Sequence, residues 1–429
     1  MSARKKGVAA PEDLFARRRK ALVERMRKQP GGDAAVALFF SGEEQNLVPF
    51  LPDPNFYYFT GVESPKAALL IHTTPQKSDE LLFLPAPDPA AERWTGKVLT
   101  AGGLTESADP DPVRRGAMKR TGFGSLSAYH QIEEALVRPL RAARTVYLDF
   151  PEDAIQGPIG LTQLFWERLR ARYPFLELRH LGRLAGGLRR LKGPEEIRAL
   201  REAIAVTRDA HAAAAGHLRP GMREYELQAL VEYAFKVGGA QRLSFPSIVG
   251  SGPWSCILHY EKNRRTMKAG DLVVLDVGAR KDFYCADITR TYPVSGTFTK
   301  RQRKVYDVVL AARDAAVAKV KPGVFVHEVH KAATEVIAKA GLGKYFFHGT
   351  SHYLGLEAHD VGSYDEPLEP GAVITVEPGV YIAAEELGVR IEDDVAVTAK
   401  GCEVLSADIP REARDLEALL AEPRKKIIL

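Results

Sequence analysis

Cysteine is scarce in this chain, with three among 429 residues. Cys256, Cys285 and Cys402 are odd in number and far apart. That argues against a disulfide framework or a zinc ribbon and points to a reduced, cytoplasmic setting. Long apolar runs are also missing. No stretch approaches the ~18 residues of a membrane-spanning helix, and no signal-peptide pattern is visible. An excess of one charge is lacking too: 60 Lys and Arg against 55 Asp and Glu leave +5. At this length that balance implies neither a nucleic-acid nor a membrane partner. The basic cluster FARRRKALVERMRK carries Phe15, Leu22 and Met26 at helical spacing, and reads as an N-terminal helix with a solvated basic face. The preceding MSARKK reads as a loose tail, and Glu12, Asp13 and Glu24 count against a transit peptide.

The chain is long for one domain, and its 45% hydrophobic content allows a sizeable core. The chemistry lies in the last third. Asp276, Asp287, Glu377 and Glu392 each sit in or beside an apolar run that reads as a buried strand. A lone buried carboxylate costs several kcal/mol unless its charge is compensated. Pairing with Arg or Lys is one solution. Four acids in one half-chain favour a common compensator, and a pair of divalent cations is the simplest. On spacing alone His352 reads equally as a ligand or as an ordinary polar residue. Gly349, Thr350, Ser351 and Gly355 argue against a helical His348–His352 ligand pair.

Spacing supports a shared site. LVVLDVGARKDFYCADITRTYPV reads as strand, turn, strand, and a turn centred between Lys281 and Asp282 sets Asp276 opposite Asp287. AVITVEPGVYIAAEELGVRIEDDVAV repeats the arrangement about a centre between Ala384 and Glu385, setting Glu377 opposite Glu392. AGDLVVLD aligns with PGAVITVE. RPGMREYELQALVEYAFKVGG, from Arg219, aligns with KPGVFVHEVHKAATEVIAKAG, from Lys321. The offset is about a hundred residues in both cases, which predicts a duplicated half-domain with the carboxylates on its pseudo-twofold.

A first domain is expected to about residue 188. AAVALFF, NFYYFTG, KAALLIHT, ELLFLP and TVYLDF read as strands, and QIEEALVRPLRAA as helix. LGRLAGGLRRLKGP reads as a crossing into a second domain. Gly193-Pro194 then opens a helix with Glu195 and Glu196 in its first turn.

The strings CILHYEKN, LDVGARKDFYCADITRTYPV, HGTSHYLGLEAHDVG, TVEPGVYI and GVRIEDDVAV, in this order and spacing, resemble the pita-bread metallopeptidases. That family includes methionine aminopeptidase, prolidase and aminopeptidase P. NFYYFTG, AERWTG and LSADIPREARDLEALL extend the resemblance to the bacterial Xaa-Pro aminopeptidases, over nearly the whole chain.

The resemblance implies an α+β fold. A pita-bread catalytic domain, residues 189–429, would follow an α/β creatinase-type domain, residues 1–188. It implies an exopeptidase that removes the residue before a penultimate proline by attack of a metal-bridging hydroxide. Asp276 would chelate one metal, Asp287 and Glu392 would bridge two, and His352 and Glu377 would complete the second site. The metals are expected to be manganese, with Co²⁺ or Zn²⁺ also suited to oxygen-rich ligation with one imidazole. Glu377 would move the proton of the attacking water. His259 and His359 would hold the scissile carbonyl and the tetrahedral intermediate. His348 and Arg390 would serve substrate binding, with Arg390 also supporting the carboxylates. A homodimer or homotetramer is implied, with Trp94 a candidate wall for a neighbour's cavity. By themselves Trp94 and Tyr58 read as core or rim aromatics, and Arg265 as surface charge.

Two alternatives remain at this stage: a prolidase restricted to Xaa-Pro dipeptides, and an inactive binding module on the same fold. Relatives of the second kind lose metal ligands, and all five are present here. The insert SYDEP, between Gly362 and Gly371, is shorter than the arginine-bearing loop of several aminopeptidases P, which leaves peptide-length preference open.

Overall fold

The computed structural model describes residues 11–30, 34–44, 48–102, 112–150 and 160–422. The tail MSARKK lies outside them. The chain divides into two compact units, Met1–Leu188 and Arg189–Leu429.

The first unit holds a six-stranded mixed sheet. Its strands are β1 (Ala35–Phe40), β2 (Ala68–Thr73), β3 (Ser78–Leu84), β4 (Leu126–Ala128), β5 (Thr145–Leu148) and β6 (Glu177–His180), in the order β4-β3-β2-β1-β5-β6. Val36, Leu38, Leu70 and Phe83 pack with Ile132 and Leu136 of the helix Ile132–Leu140 in one apolar core.

NFYYFTG is a helix, Pro54–Thr60, and not the expected strand. Asp53 caps it by accepting from Phe56 N at 2.9 Å, Pro54 fits the first turn, and Gly61 closes it in the left-handed conformation. These local signals outweigh the strand preference of its aromatics. The N-terminal helix Pro11–Arg27 buries Leu22 and Met26 as expected, but its basic face is not wholly solvated. Arg18 and Arg19 are buried and donate to Tyr58 O and Phe59 O, each at 3.0 Å.

The second unit consists of two matching halves. Each has a long helix, a shorter helix and a strand system. The helices are Pro194–Ala215 and Glu224–Val237 in one half, Lys300–Lys319 and Val326–Lys339 in the other. The shorter helices start alike. Gly221 and Gly323 precede them at φ +87° and +84°. Arg223 N donates to Glu226 at 2.6 Å, and Phe325 N to Glu328 at 3.0 Å.

The first half adds β7 (Arg242–Leu243), β8 (Ile248–Ser251), β9 (Leu272–Val277), β10 (Ala279–Lys281), β11 (Tyr284–Cys285) and β12 (Ile288–Pro293). The second adds β13 (Val373–Val376), β14 (Gly379–Ile382), β15 (Leu387–Arg390), β16 (Asp393–Val397) and β17 (Cys402–Val404). Leu227, Val231, Leu275, Val309, Val329, Ile374 and Val395 belong to one continuous core. No helix among the described residues is long and apolar enough to cross a membrane.

The second hairpin has the expected register. Val376 pairs with Asp393 and Gly379 with Arg390, which places Glu377 opposite Glu392. The first hairpin is shifted. Asp276 pairs with Thr289, and Arg280 with Cys285. The turn is Asp282-Phe283, both at positive φ (48° and 68°), so its centre lies one residue beyond the expected one. Asp287 is therefore a diagonal neighbour of Asp276, two residues along from Thr289. The side-chain period of a strand is two, so both acids stay on one face.

Candidate metal centre and active-site cavity

β9 and β12 bring Asp276, Asp287 and Thr289 to one face, and the segment joining β15 to β16 adds Glu392. Glu392 N donates to Thr289 O at 3.1 Å, and Thr289 Oγ1 to Glu392 Oε2 at 2.7 Å. These bonds join the two halves at the site. Gly278 lies opposite Asp287 in the hairpin. A Cβ there would overlap Ala286 O, so glycine permits this close strand approach.

His352 arrives on a segment laid along β13. His352 N donates to Thr375 Oγ1 at 3.1 Å, Thr375 N to His352 O at 2.9 Å, and Glu377 N to Thr350 O at 2.8 Å. The ring donates Nδ1–H to Tyr353 O at 3.1 Å, which leaves the Nε2 lone pair free. Nε2 lies 3.5 Å from Asp287 Oδ2 and 3.6 Å from Glu377 Oε1. Asp287, His352 and Glu392 each offer a ligand atom within 4.8 Å of the others.

All nine residues singled out in the sequence line a single cavity of about 470 Å³: His259, Asp276, Asp287, His348, His352, His359, Glu377, Arg390 and Glu392. Phe245, Pro246, Ile248 and Tyr364 add apolar wall. The rings of His352 and His359 lie 4.2 Å apart.

Burial, together with their neighbours' charges, disfavours the ionised form of three of the acids. Burial pushes Glu377 up to about 8, with the nearby Asp276 charge adding to the rise. Burial raises Asp287 well above the usual carboxylate range, aided by Asp276 and Asp394. It raises Glu392 likewise, aided by Asp287 and Glu377. Burial lowers His348 and His352 to about 4, so both rings are neutral near pH 7. Asp276 Oδ1 is buried with no hydrogen-bond partner among the described residues. An orphaned carboxylate oxygen, three acids raised by burial and by one another's charge, and a free imidazole lone pair form a donor set suited to divalent cations.

Several participants carried sequence signals that were not read. Tyr381 lies within TVEPGVYI; its hydroxyl accepts from Arg390 Nη1 at 3.0 Å and lies 3.0 Å from His348 Nε2. Thr289 shares the face of Asp287 by strand alternation. Asp394 accepts from Asp287 N at 3.2 Å. Arg265 is not surface charge: it is part-buried, paired with Asp271, and donates to Ser251 Oγ at 2.9 Å. Of the two aromatics read as core or rim, Tyr58 is core, while Trp94 is 89% exposed and belongs to neither the core nor a half-buried rim.

Comparison with known proteins agrees with this geometry. Residues 198–399 match metallopeptidase family M24, and residues 15–120 the N-terminal domain of aminopeptidase P. The Xaa-Pro aminopeptidase of Escherichia coli is 35% identical, over 96% of this chain and 98% of its own. A Pyrococcus furiosus Xaa-Pro dipeptidase is 37% identical over 59% of this chain and 72% of its own. The structure of E. coli aminopeptidase P with the inhibitor Pro-Leu superposes with a TM-score of 0.85 at 33% identity, covering 98% of this chain and 100% of that one. The fold and the cavity are those of a metallopeptidase with a pita-bread catalytic unit. The chain belongs to family M24, in its Xaa-Pro aminopeptidase branch.

Proposed function

We infer that this protein is a metal-dependent exopeptidase that removes the first residue from peptides with proline in second place. The carrying observation is the cavity itself, where three acids raised by burial and proximity, the orphaned Asp276 oxygen and the free His352 nitrogen converge. Asp276, Asp287, His352, Glu377 and Glu392 would hold two divalent ions. The oxygen-rich set with one imidazole favours manganese, with Co²⁺ or Zn²⁺ as competitors. Bound there, such ions supply Lewis acidity toward the scissile carbonyl and acidify the attacking water.

The protein's own groups do the rest. Glu377 takes the water proton and returns it to the departing proline nitrogen. His259 and His359, on the cavity wall, donate to the carbonyl oxygen as charge develops on it. His348 is held by Gly349 O and Tyr381, and lines the pocket for the proline side of the substrate. Arg390 donates to Asp276 at 2.6 Å and lies against the same pocket. An X-Pro amide has no N–H to orient it, so the apolar wall of Phe245, Pro246 and Tyr364 serves to grip the ring instead.

The exposed Trp94 supports a homodimer or homotetramer in which this side chain meets another copy. Three free cysteines support a cytoplasmic place.

The decisive assay compares Ala-Pro with Ala-Pro-Ala, using manganese-loaded and chelated protein. Cleavage of the tripeptide to alanine and Pro-Ala, lost on chelation, is expected. Cleavage of the dipeptide alone would make the protein a prolidase, the reading favoured by its identity with the P. furiosus dipeptidase. Activity that survives complete metal removal would overturn the metal-dependent reading.

A further inference from the structure

We propose that Glu224 is a positioning residue for His259, fastening the loop that carries it into the cavity. The inference rests on the reading that His259 acts on the substrate.

His259 is exposed and lines the cavity, yet its ring makes no hydrogen bond with any described residue. Its place is therefore set by the backbone beneath it, in the segment that leaves β8 at Ser251 and enters β9 at Leu272. Glu224, the first residue of the helix Glu224–Val237, is fully buried. Its two oxygens hold that segment at three points. Oε1 accepts from Ser251 N at 2.9 Å and from Ser251 Oγ at 2.6 Å. Oε2 accepts from Tyr260 OH at 2.9 Å and from Arg265 N at 2.8 Å. The loop is thus tied at its entry, beside His259, and on its far side.

Neighbouring contacts stiffen the same frame. Trp254 stacks on Tyr260, with ring centroids 5.5 Å apart and planes 5° from parallel. Arg265 also donates to Ser251 Oγ and to both oxygens of Asp271. On the other side of His259, Leu258 O accepts from Arg390 Nη2 at 3.4 Å.

The duplicated half supplies an internal control. The matching helix starts at Val326, which is 6% exposed. The repeat accepts a buried apolar residue at this position, so the fold itself does not require an acid there. In the first half the acid instead meets Ser251, Tyr260 and Arg265 of the loop that carries His259. A buried carboxylate with every acceptor direction occupied is selective for one loop conformation, because any other would leave it unsatisfied.

The test uses the full-length, metal-loaded enzyme with Glu224→Val and Tyr260→Phe variants, each alone and combined with His259→Ala. In Glu224→Val, hydrogen exchange is expected to speed up at the Ser251 and Arg265 amides while the β9 amides stay protected. Turnover of Ala-Pro-Ala is expected to fall on the order of 10–10²-fold, with KM and metal content little changed. Tyr260→Phe, which keeps the buried acid and most of its donors, is expected to show a smaller loss in the same direction. Neither change should slow the His259→Ala enzyme further. Unchanged exchange at Ser251 and Arg265, unchanged turnover, or a loss that multiplies in full with His259→Ala would overturn the proposal. If Glu224→Val does not fold, Tyr260→Phe decides by turnover: an unchanged turnover, or a loss that multiplies in full with His259→Ala, would overturn the proposal. A wild-type protein inactive on both peptides would defeat the peptidase reading, while the exchange data would still decide whether Glu224 fastens the loop.

Discussion

Arg390 and Asp276 form a buried, charge-assisted pair, with Nη2 donating to Oδ2 at 2.6 Å. The same guanidinium reaches Tyr381 OH at 3.0 Å and Thr289 Oγ1 at 3.2 Å, and Thr289 in turn holds Glu392. One cation thereby orients a carboxylate from each half of the duplicated unit. It uses one oxygen of Asp276 and leaves the other free for a ligand.

Arg390→Lys is expected to fold but to bind divalent metal about 10–100-fold more weakly, the usual cost of losing a partner behind a metal ligand. A lysine is a point charge that cannot span Asp276, Tyr381 and Thr289 together. Calorimetric titration of metal-free protein with Mn²⁺ measures the loss, and wild-type affinity in the variant would remove Arg390 from this role.

Metal binding should release protons. Burial pushes Glu377 up to about 8 when no cation offsets its charge, and raises Asp287 and Glu392 as well. Below about pH 8 Glu377 holds a proton that a cation must displace, so affinity should rise with pH from about 6 to 8. The same shifts give the metal-free protein the opposite trend. A carboxyl raised from its ordinary 4.5 to about 8 contributes stability that is full below 4.5 and lost as pH climbs through 8. Titrations in buffers of different ionisation enthalpy would count the protons, and a count of zero across this range would contradict the shifts.

Much of this was legible in the sequence because buried acids in apolar strands stand out, and because the duplication supplies its own alignment. The second hairpin register followed from symmetry about Ala384 and Glu385. The first was read one turn position early because a two-residue turn with both residues at positive φ is usually marked by Asn-Gly or Asp-Gly. Here it is Asp282-Phe283, supported from outside by Gln241, whose Oε1 accepts from Asp282 N at 2.9 Å. That support comes from a residue distant in sequence. The Pro54–Thr60 helix was misread because its aromatics favour strand, although Asp53 and Pro54 announced a cap. Arg265 seemed to be surface charge because its partners, Asp271 and Ser251, meet it only in three dimensions.

Acid should weaken the fold through His211. Burial holds this imidazole at about 3, far below the ordinary 6.5, with the Arg290 charge adding to the drop. It sits between Tyr292 OH at 3.1 Å and Ile288 O at 3.2 Å, behind the site strand. The folded ring stays neutral while the unfolded one gains a proton, so stability is full above about 6.5 and declines as pH falls toward 3. His211→Gln keeps one donor and one acceptor but cannot titrate there. With metal in excess, its melting temperature should fall less steeply between pH 6.5 and 4.5 than that of wild type. Parallel slopes would show that His211 does not govern acid sensitivity.

Asp287→Ala and His259→Ala should fail in different ways, and the difference separates metal holding from transition-state binding. Asp287 is buried within 4.8 Å of ligand atoms on His352 and Glu392. Its loss should leave both activity and metal content near background, because the remaining donors no longer converge. His259 lines the cavity but lies outside that cluster. Its removal should leave metal bound and lower turnover by a factor on the order of 10²–10³, as for a lost donor to a developing oxyanion. Elemental analysis beside steady-state kinetics reads both variants. Full metal and full activity in Asp287→Ala would refute the centre as drawn. Unchanged turnover in His259→Ala would leave the oxyanion to His359 alone, because it is the other cavity histidine assigned to that oxygen.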